Sequence, residues 1–213
     1  MGPTSRHQCL IYDGPPSRHL PRVASAIQDQ LKQRHRCLYL NSPPMVAGIK
    51  SYLAAAGVDV AREAEKGSLV LSSDREHLVE DSSFDLHRMI ETLQHSLRLA
   101  LADGYEGLWA SGDMTWEFGP AKNLSRLLEY EWRLEEFMRE HPQMGGICQY
   151  HVETLPRDVV CQGLLTHSHL FVSQTLTLVN PLYLQAESFT PAAIADPRLE
   201  RILDNLLDRE LLT

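Results

Sequence analysis

A chain of 213 residues with 43% hydrophobic residues can bury one large core, and this length suits a single α/β domain. The formal net charge of −8, without any Lys/Arg-rich run, argues against binding to a nucleic-acid backbone, which needs a concentrated basic surface. No segment approaches the roughly 20 apolar residues of a transmembrane helix, and MGPTSRHQ is not a signal segment. We therefore expect a cytosolic protein with no nucleic-acid or membrane partner.

Short apolar runs alternate with helical patterns along most of the chain. Strands are predicted at residues 8–12, 36–41, 68–72, 107–111 and 145–150. Helices are predicted at residues 18–34, 44–56, 84–102, 121–140 and 157–165. This alternation implies right-handed βαβ crossovers, and hence an α/β fold of three layers around a mostly parallel sheet.

The pattern changes near the C-terminus. Two short apolar runs at 169–172 and 175–179 predict an antiparallel hairpin at the sheet edge. After them, five apolar residues follow helical spacing: Leu199, Ile202, Leu203, Leu206 and Leu207. We expect a domain over 1–189 and an amphipathic helix within 190–213, whose apolar stripe either folds back onto the domain or pairs with a partner or a second copy.

The turns after the strands are where doubly wound folds bind ligands. The first turn stands in the place of a phosphate-binding loop but lacks the second Gly, the Lys and the hydroxyl of G-x-x-x-x-G-K-S/T. We interpret it as a degenerate phosphate loop, with candidate residues Asp13, Gly14, Ser17, Arg18 and His19. The fourth strand has Ala110 and Ser111 where an ATPase would place its Mg²⁺-directed Asp. Phosphoryl transfer is therefore not expected, although residual nucleotide binding or weak ATPase activity remains the alternative function.

Several short segments, in order along the chain, carry a family resemblance: RCLYL, AAGVDV with GSLVLSS, GDMTW, LLEYEWRLEEF, CQY, Thr166-His167 and NPLY. From His7 to about Phe189 the chain resembles the MEDS sensory domain family of methanogen and methylotroph regulators, which includes a dichloromethane-responsive regulator. The acid of GDMTW is Asp113, where the family commonly has Glu.

The resemblance implies a RecA- or KaiC-like fold without a working phosphate loop and a small apolar or hydrocarbon-derived ligand. Family members are usually attached to an output module, whereas this chain ends about twenty residues after the domain. We therefore expect signalling through a protein partner such as a histidine kinase, an anti-sigma-type protein or a transcriptional regulator. A homodimer is also possible, and no cofactor is expected.

The ligand candidates lie mainly at strand ends. Glu131 falls at the centre of an apolar helical stripe, so it should be buried, where a carboxylate needs a partner or a raised pKa. A structural hydrogen bond and a ligand-orienting role both remain open for it. Trp116 and Met114 could form a pocket wall or could be packing. The full set of candidate ligand-binding residues is Tyr12, Asp113, Met114, Trp116, Glu131, Gln149 and Tyr150.

Metal binding and catalysis are not expected. Among ten histidines, His167 and His169 are the tightest pair, but no nearby Cys or carboxylate completes a ligand set. Ser111 lacks the G-x-S-x-G elbow of a serine hydrolase. The four cysteines have no C-x-x-C spacing, which is typical of buried reduced thiols, with redox sensing left open.

Overall fold

The computed structural model describes residues 6–73, 79–80, 83–114 and 126–210, in which strands and helices alternate as the sequence predicts. The strands are β1 His7–Tyr12, β2 His35–Leu40, β3 Leu69–Ser72, β4 Val79–Glu80, β5 Ser83–Phe84, β6 Gly107–Asp113, β7 Met144–His151, β8 His169–Ser173 and β9 Leu176–Val179. The α-helices are α1 Pro16–Lys32, α2 Pro43–Ala55, α3 Val60–Glu65, α4 Leu86–Ala102, α5 Leu127–Glu140, α6 Arg157–Thr166 and α7 Pro197–Glu210.

Seven strands form one sheet in the order β3-β2-β6-β7-β1-β8-β9. All neighbours are parallel except β8 and β9, which pair antiparallel. The predicted mostly parallel α/β sheet and its C-terminal hairpin are therefore confirmed. The short β4–β5 pair, which the sequence pattern does not reveal, forms a separate two-stranded sheet.

Helices cover both faces of the sheet, because the strands are apolar on both sides. Successive residues of β1 point to opposite faces: Leu10 and Tyr12 pack into the core under α1 and α2, and Cys9 and Ile11 into the other core. The second core is the larger and includes residues of α4, α5, α6 and α7. The small cavity and the buried polar group around Glu131, described below, lie between the sheet and these helices.

Helix α1 begins earlier than its apolar stripe predicts. It starts at Pro16, because proline is well suited to the first turn of a helix, where its missing N–H costs no internal hydrogen bond. Helix α2 ends just before Gly57, whose φ of +84° is readily adopted only by glycine. The predicted helix at 121–140 is described from Leu127, and residues 121–125 lie outside the described part of the chain.

The C-terminal helix α7 packs back onto the domain. Its Leu199, Leu203 and Leu206 are buried in the same core as α5 and α6. Arg157 at the start of α6 also pairs with Glu200 of α7. Of the two arrangements considered for this stripe, the structure shows the folded-back one for these three leucines.

None of the helices among the described residues combines the length and the apolar character that a membrane span requires.

Candidate functional site

The carboxyl ends of β1, β6 and β7 bring several predicted residues together. The Tyr12 hydroxyl donates a hydrogen bond to Asp113 Oδ2 at 2.8 Å, and both side chains are buried. Between them, Gln149 Nε2 donates to Ser111 Oγ at 2.8 Å, and the Ser111 hydroxyl donates to the Ile147 carbonyl at 2.9 Å. The hydroxyl proton of Ser111 is therefore held by a backbone carbonyl and not by a base.

His19 completes this carboxyl edge in an unusual state. Its ring stacks on Tyr12 with centroids 3.7 Å apart, and it is 0% exposed. Neither ring nitrogen has a hydrogen-bond partner among the described residues. Burial, with smaller contributions from nearby Arg22 and His151, lowers the pKa of His19 to about 3. At neutral pH this imidazole is therefore uncharged and cannot attract a phosphate.

The other residues of the turn predicted to be a degenerate phosphate loop bond mainly to one another. Arg18 Nη1 donates to Asp13 Oδ1 at 3.2 Å, and Arg18 N donates to the Pro15 carbonyl at 3.0 Å. Gly14 has a φ of +66°, and a Cβ at this position would meet the Arg18 side chain at 3.2 Å. Ser17 is exposed at the start of α1. The cation that could meet an anion here is thus already paired with a carboxylate.

The other predicted ligand residues lie on the opposite face of the sheet. Tyr150 pairs in register with Ile11 and therefore shares its face, whereas Tyr12 points the other way. Met114 and Glu131 also lie on the face of α4 and α5. Because the sheet separates these two groups, the six candidates within the described residues do not form one site. Trp116 lies outside the described residues.

Met114 lines a small cavity between β6, α4 and α5, here called the methionine cavity. Its volume is about 20 Å³. Four of the six methionines of the chain contribute to its wall, with β-strand and helix residues filling the remainder. These methionines are Met89, Met114, Met138 and Met144. A flexible, polarizable lining of this kind adapts to the shape of an apolar occupant.

Glu131 is buried as predicted, and it is the centre of a polar group inside the larger core. The Tyr150 hydroxyl donates to Glu131 Oε1. His7 Nε2 lies 3.2 Å from Glu131 Oε2, and the Cys148 thiol lies 3.5 Å from the same oxygen. His167 Nε2 lies 3.5 Å from it as well. We call His7, Glu131, Cys148 and His167 the buried cluster; all four side chains are buried.

Local structure aims both histidine rings of the buried cluster inward. His7 Nδ1 donates to Glu135 Oε2 at 2.9 Å, one turn along α5 from Glu131. His167 follows the last residue of α6, and its Nδ1 donates to the Gly163 carbonyl at 2.7 Å. Any Cβ at position 163 would meet the Tyr150 ring at 2.6 Å, so glycine is needed for this close approach. In both rings Nε2 faces Glu131.

The charges of the buried cluster follow from these contacts. Burial by itself would lower the pKa of His7, but its hydrogen bonds to Glu131 and Glu135 outweigh burial and raise that pKa to about 9. Burial also opposes ionisation of Glu131, yet the two histidine rings and Tyr150 lower its pKa overall. Burial and the nearby His7 cation lower the pKa of His167 to about 4. At neutral pH the cluster therefore contains one cation, one anion and one neutral imidazole.

Sequence reasoning found Glu131 and Tyr150 but not the group to which they belong. His167 and His169 do not act as a pair, since His169 lies on β8 and its Nδ1 contacts Ser168. The Cys and carboxylate that the sequence did not place beside His167 come from β7 and α5. All four cysteines are buried and free, as predicted. Only the sheet order, with β1 beside β7 and β8, brings His7 into the cluster.

The chain is similar in fold to a protein of known structure, and its sequence matches a known family. A solved structure of an uncharacterized protein, PH0321 from Pyrococcus horikoshii, in complex with an unknown peptide, is similar with a TM-score of 0.61 and 15% identity. The similarity covers 83% of this chain and 84% of that one, and at this identity it shows the fold alone. No curated protein matches the chain. The profile described as "MEthanogen/methylotroph, DcmR Sensory domain" (MEDS) matches residues 6–168, and the chain therefore belongs to the MEDS family of sensory domains.

Proposed function

We propose that this chain is a non-catalytic sensory domain that binds a small apolar, hydrocarbon-derived molecule in the methionine cavity and relays its presence to an output protein. The observation that carries the proposal is the grouping of four methionines around one cavity between β6, α4 and α5. Membership of a sensory family supports the same role. The output protein would be a histidine kinase, an anti-sigma-type protein or a transcriptional regulator.

The size of the cavity indicates how binding would become a signal. A volume of about 20 Å³ holds little more than one water molecule. A ligand of several heavy atoms must therefore displace methionine side chains, which change rotamer at low cost. Tyr130, Leu134 and Met138 of α5 form one wall, so entry of a ligand would push α5 relative to β6. Movement of this helix is the change that an output partner would read.

We further infer that the fold is a RecA- or KaiC-like one that has lost its phosphate loop. In support, the first strand lies inside a largely parallel sheet and is followed by a turn and a helix, the place of a phosphate loop. The paired Arg18 and the neutral His19 leave that turn without a free cation. This combination favours sensing over nucleotide hydrolysis.

The test uses the methionine methyl groups as reporters. With methyl-¹³C methionine, addition of dichloromethane or xenon should shift the signals of Met89, Met114, Met138 and Met144. Met45 is the matched control, because it packs on α2 against the other core and its signal should not move. The thermal midpoint should also rise with ligand concentration, since binding to the folded state alone stabilises it.

A cavity-filling variant makes the test specific. Ala110 lines the cavity from β6, and Ala110→Val adds two methyl groups in a strand, where β-branched residues are favoured. This variant should fold and lose the ligand-induced rise in thermal midpoint. Shifts of equal size at Met45, or an unchanged response in Ala110→Val, would show that the ligand binds elsewhere.

A further inference from the structure

We propose that the buried cluster, His7, Glu131, Cys148 and His167, is a closed tetrahedral site for one zinc ion. Each residue offers one donor atom, and the four donor atoms all lie within 4.8 Å of one another. Two imidazoles, a thiolate and a carboxylate are ligand types that zinc accepts in four-coordinate sites. Cys148 also lines the methionine cavity, so the two proposed sites share one wall residue, but the zinc assignment does not depend on the ligand proposed above.

The distances between donor atoms fit this geometry. With ordinary zinc bond lengths, tetrahedral ligands lie roughly 3.3 Å apart for two N or O donors and roughly 3.6 Å apart where one is sulfur. His7 Nε2 and Glu131 Oε2 are 3.2 Å apart. Cys148 Sγ lies 3.5 Å from each of these two atoms. His167 Nε2 lies 3.5 Å from Glu131 Oε2. The four side chains therefore need only small movements to surround an ion.

Three of the four ligands have a partner outside the site that fixes their orientation. Zinc-bound histidines usually donate their second N–H to a carboxylate or carbonyl, which leaves the other nitrogen free to bind the metal. His7 donates to Glu135 in this way, and His167 to the Gly163 carbonyl. On Glu131, the Tyr150 hydroxyl occupies Oε1, so Oε2 is the oxygen that faces the centre.

His167 supplies the independent observation that points to a ligand. Its Nδ1 carries the proton because the Gly163 carbonyl can only accept, so its Nε2 presents a lone pair. This Nε2 is buried without a hydrogen-bond partner among the described residues and faces a carboxylate oxygen at 3.5 Å. Two acceptors facing each other inside a core are unfavourable unless a cation lies between them.

Zinc binding would replace protons without any redox change. The Nε2 proton of His7 and the thiol proton of Cys148 leave to solvent, and bonds form from zinc to the two imidazole nitrogens, the sulfur and Glu131 Oε2. With four protein ligands, all of them buried, no coordination position is open to water. The site is therefore structural, tying β1, α5, β7 and α6 together, and it is not a hydrolytic centre.

The test refolds the full chain with one equivalent of Zn²⁺ or Co²⁺ and removes excess metal. Wild-type protein should retain one ion per chain by elemental analysis and unfold at a higher temperature than protein refolded with chelator. The Co²⁺ form should show intense tetrahedral d–d bands and a thiolate-to-cobalt charge-transfer band. Wild-type protein that retains no metal, or a cobalt spectrum without the thiolate band, overturns the proposal.

The chain offers a matched pair of cysteines as the control. Cys9 and Cys148 are register partners on adjacent strands, both buried on the same face of the sheet, but only Cys148 belongs to the buried cluster. Cys148→Ala should abolish the charge-transfer band, and Cys9→Ala should retain it. The reverse pattern, or retention of the band in both variants, places the metal elsewhere and overturns the assignment.

A milder variant covers the case in which Cys148→Ala does not fold. Glu135 touches His7 but not the proposed ion, and its side chain is 25% exposed, so Glu135→Gln should fold. Loss of this orienting carboxylate should weaken zinc affinity about 10- to 100-fold while leaving the cobalt spectrum tetrahedral. Unchanged affinity in folded Glu135→Gln would contradict the arrangement.

Discussion

At the carboxyl edge of the sheet two carboxylates each have a donor and His19 is a neutral ring without a hydrogen-bond partner among the described residues, whereas in the buried cluster the donors converge on one carboxylate. Tyr12 donates to Asp113 and Arg18 to Asp13, and His19 is neutral. Beneath the sheet, His7, Cys148 and Tyr150 all contact Glu131. The edge, where doubly wound folds bind ligands, is thus closed by its own residues. The residues that could hold a ligand or an ion lie instead in the core between the sheet and helices α5 and α6.

Burial therefore has a different consequence in the two regions. An acid–donor pair at the edge needs nothing further, because each partner satisfies the other. In the buried cluster, His167 Nε2 has no hydrogen-bond partner among the described residues and faces Glu131 Oε2. The two regions should therefore respond differently to substitution, pH and added anions.

The largest expected effect comes from removing the centre of the buried cluster. In chelator-treated protein, Glu131→Ala leaves the His7 cation buried without its main partner, and should lower the free energy of unfolding by about 3–5 kcal/mol. Glu129→Ala is the control on the same helix; its side chain is 48% exposed, and its pair with Arg126 should contribute no more than about 0.5 kcal/mol. Urea unfolding followed by circular dichroism measures both. Equal losses in the free energy of unfolding of the two variants would show that Glu131 contributes no more to stability than the exposed Glu129.

A smaller effect is expected at the edge, where burial keeps His19 neutral. Its pKa is about 3 in the folded chain against 6.5 when exposed, so below pH 6.5 the unfolded chain binds a proton that the folded chain does not. Above pH 6.5 this difference in proton binding has no effect on stability. As the pH falls below that value it lowers the free energy of unfolding, by about 2 kcal/mol at pH 5. His19→Phe keeps the stacking on Tyr12 and should lose less stability than wild type between pH 7 and pH 5. Parallel curves for the two proteins would show that His19 is not the group responsible.

Local patterns predicted the fold better than they predicted the site. Alternating apolar runs located the strands, and a 3.6-residue period placed Glu131 inside the core. Whether Tyr12 and Tyr150 share a site was left open by the sequence; both lie near strand ends, but on opposite faces of the sheet. The two-residue period of a strand decides which face of the sheet each side chain occupies. Which residues of two strands share a face depends on their register, and only the assembled sheet fixes the register.

The buried cluster was beyond sequence reasoning for a related physical reason. His7 and His167 are separated by 160 residues and become neighbours, with ring centroids 4.0 Å apart, because β1 lies next to β7 and β8. No local spacing encodes that adjacency. The only local signal was a carboxylate in an apolar stripe, which showed that Glu131 needs partners but not which residues supply them.

The smallest expected effect concerns Arg18, and it tests whether the edge is closed to anions. The Arg18 and Asp13 side chains are 43% and 31% exposed, so Arg18→Ala should change the free energy of unfolding by no more than about 0.5 kcal/mol. ATP with Mg²⁺ should give no heat on titration into wild type or variant. Pro15 and Pro16 have no N–H to donate, and the guanidinium is already paired with Asp13. If wild type gives heat and Arg18→Ala abolishes it, this turn binds phosphate. The carboxyl edge would then hold an anion, although its paired side chains are expected to exclude one.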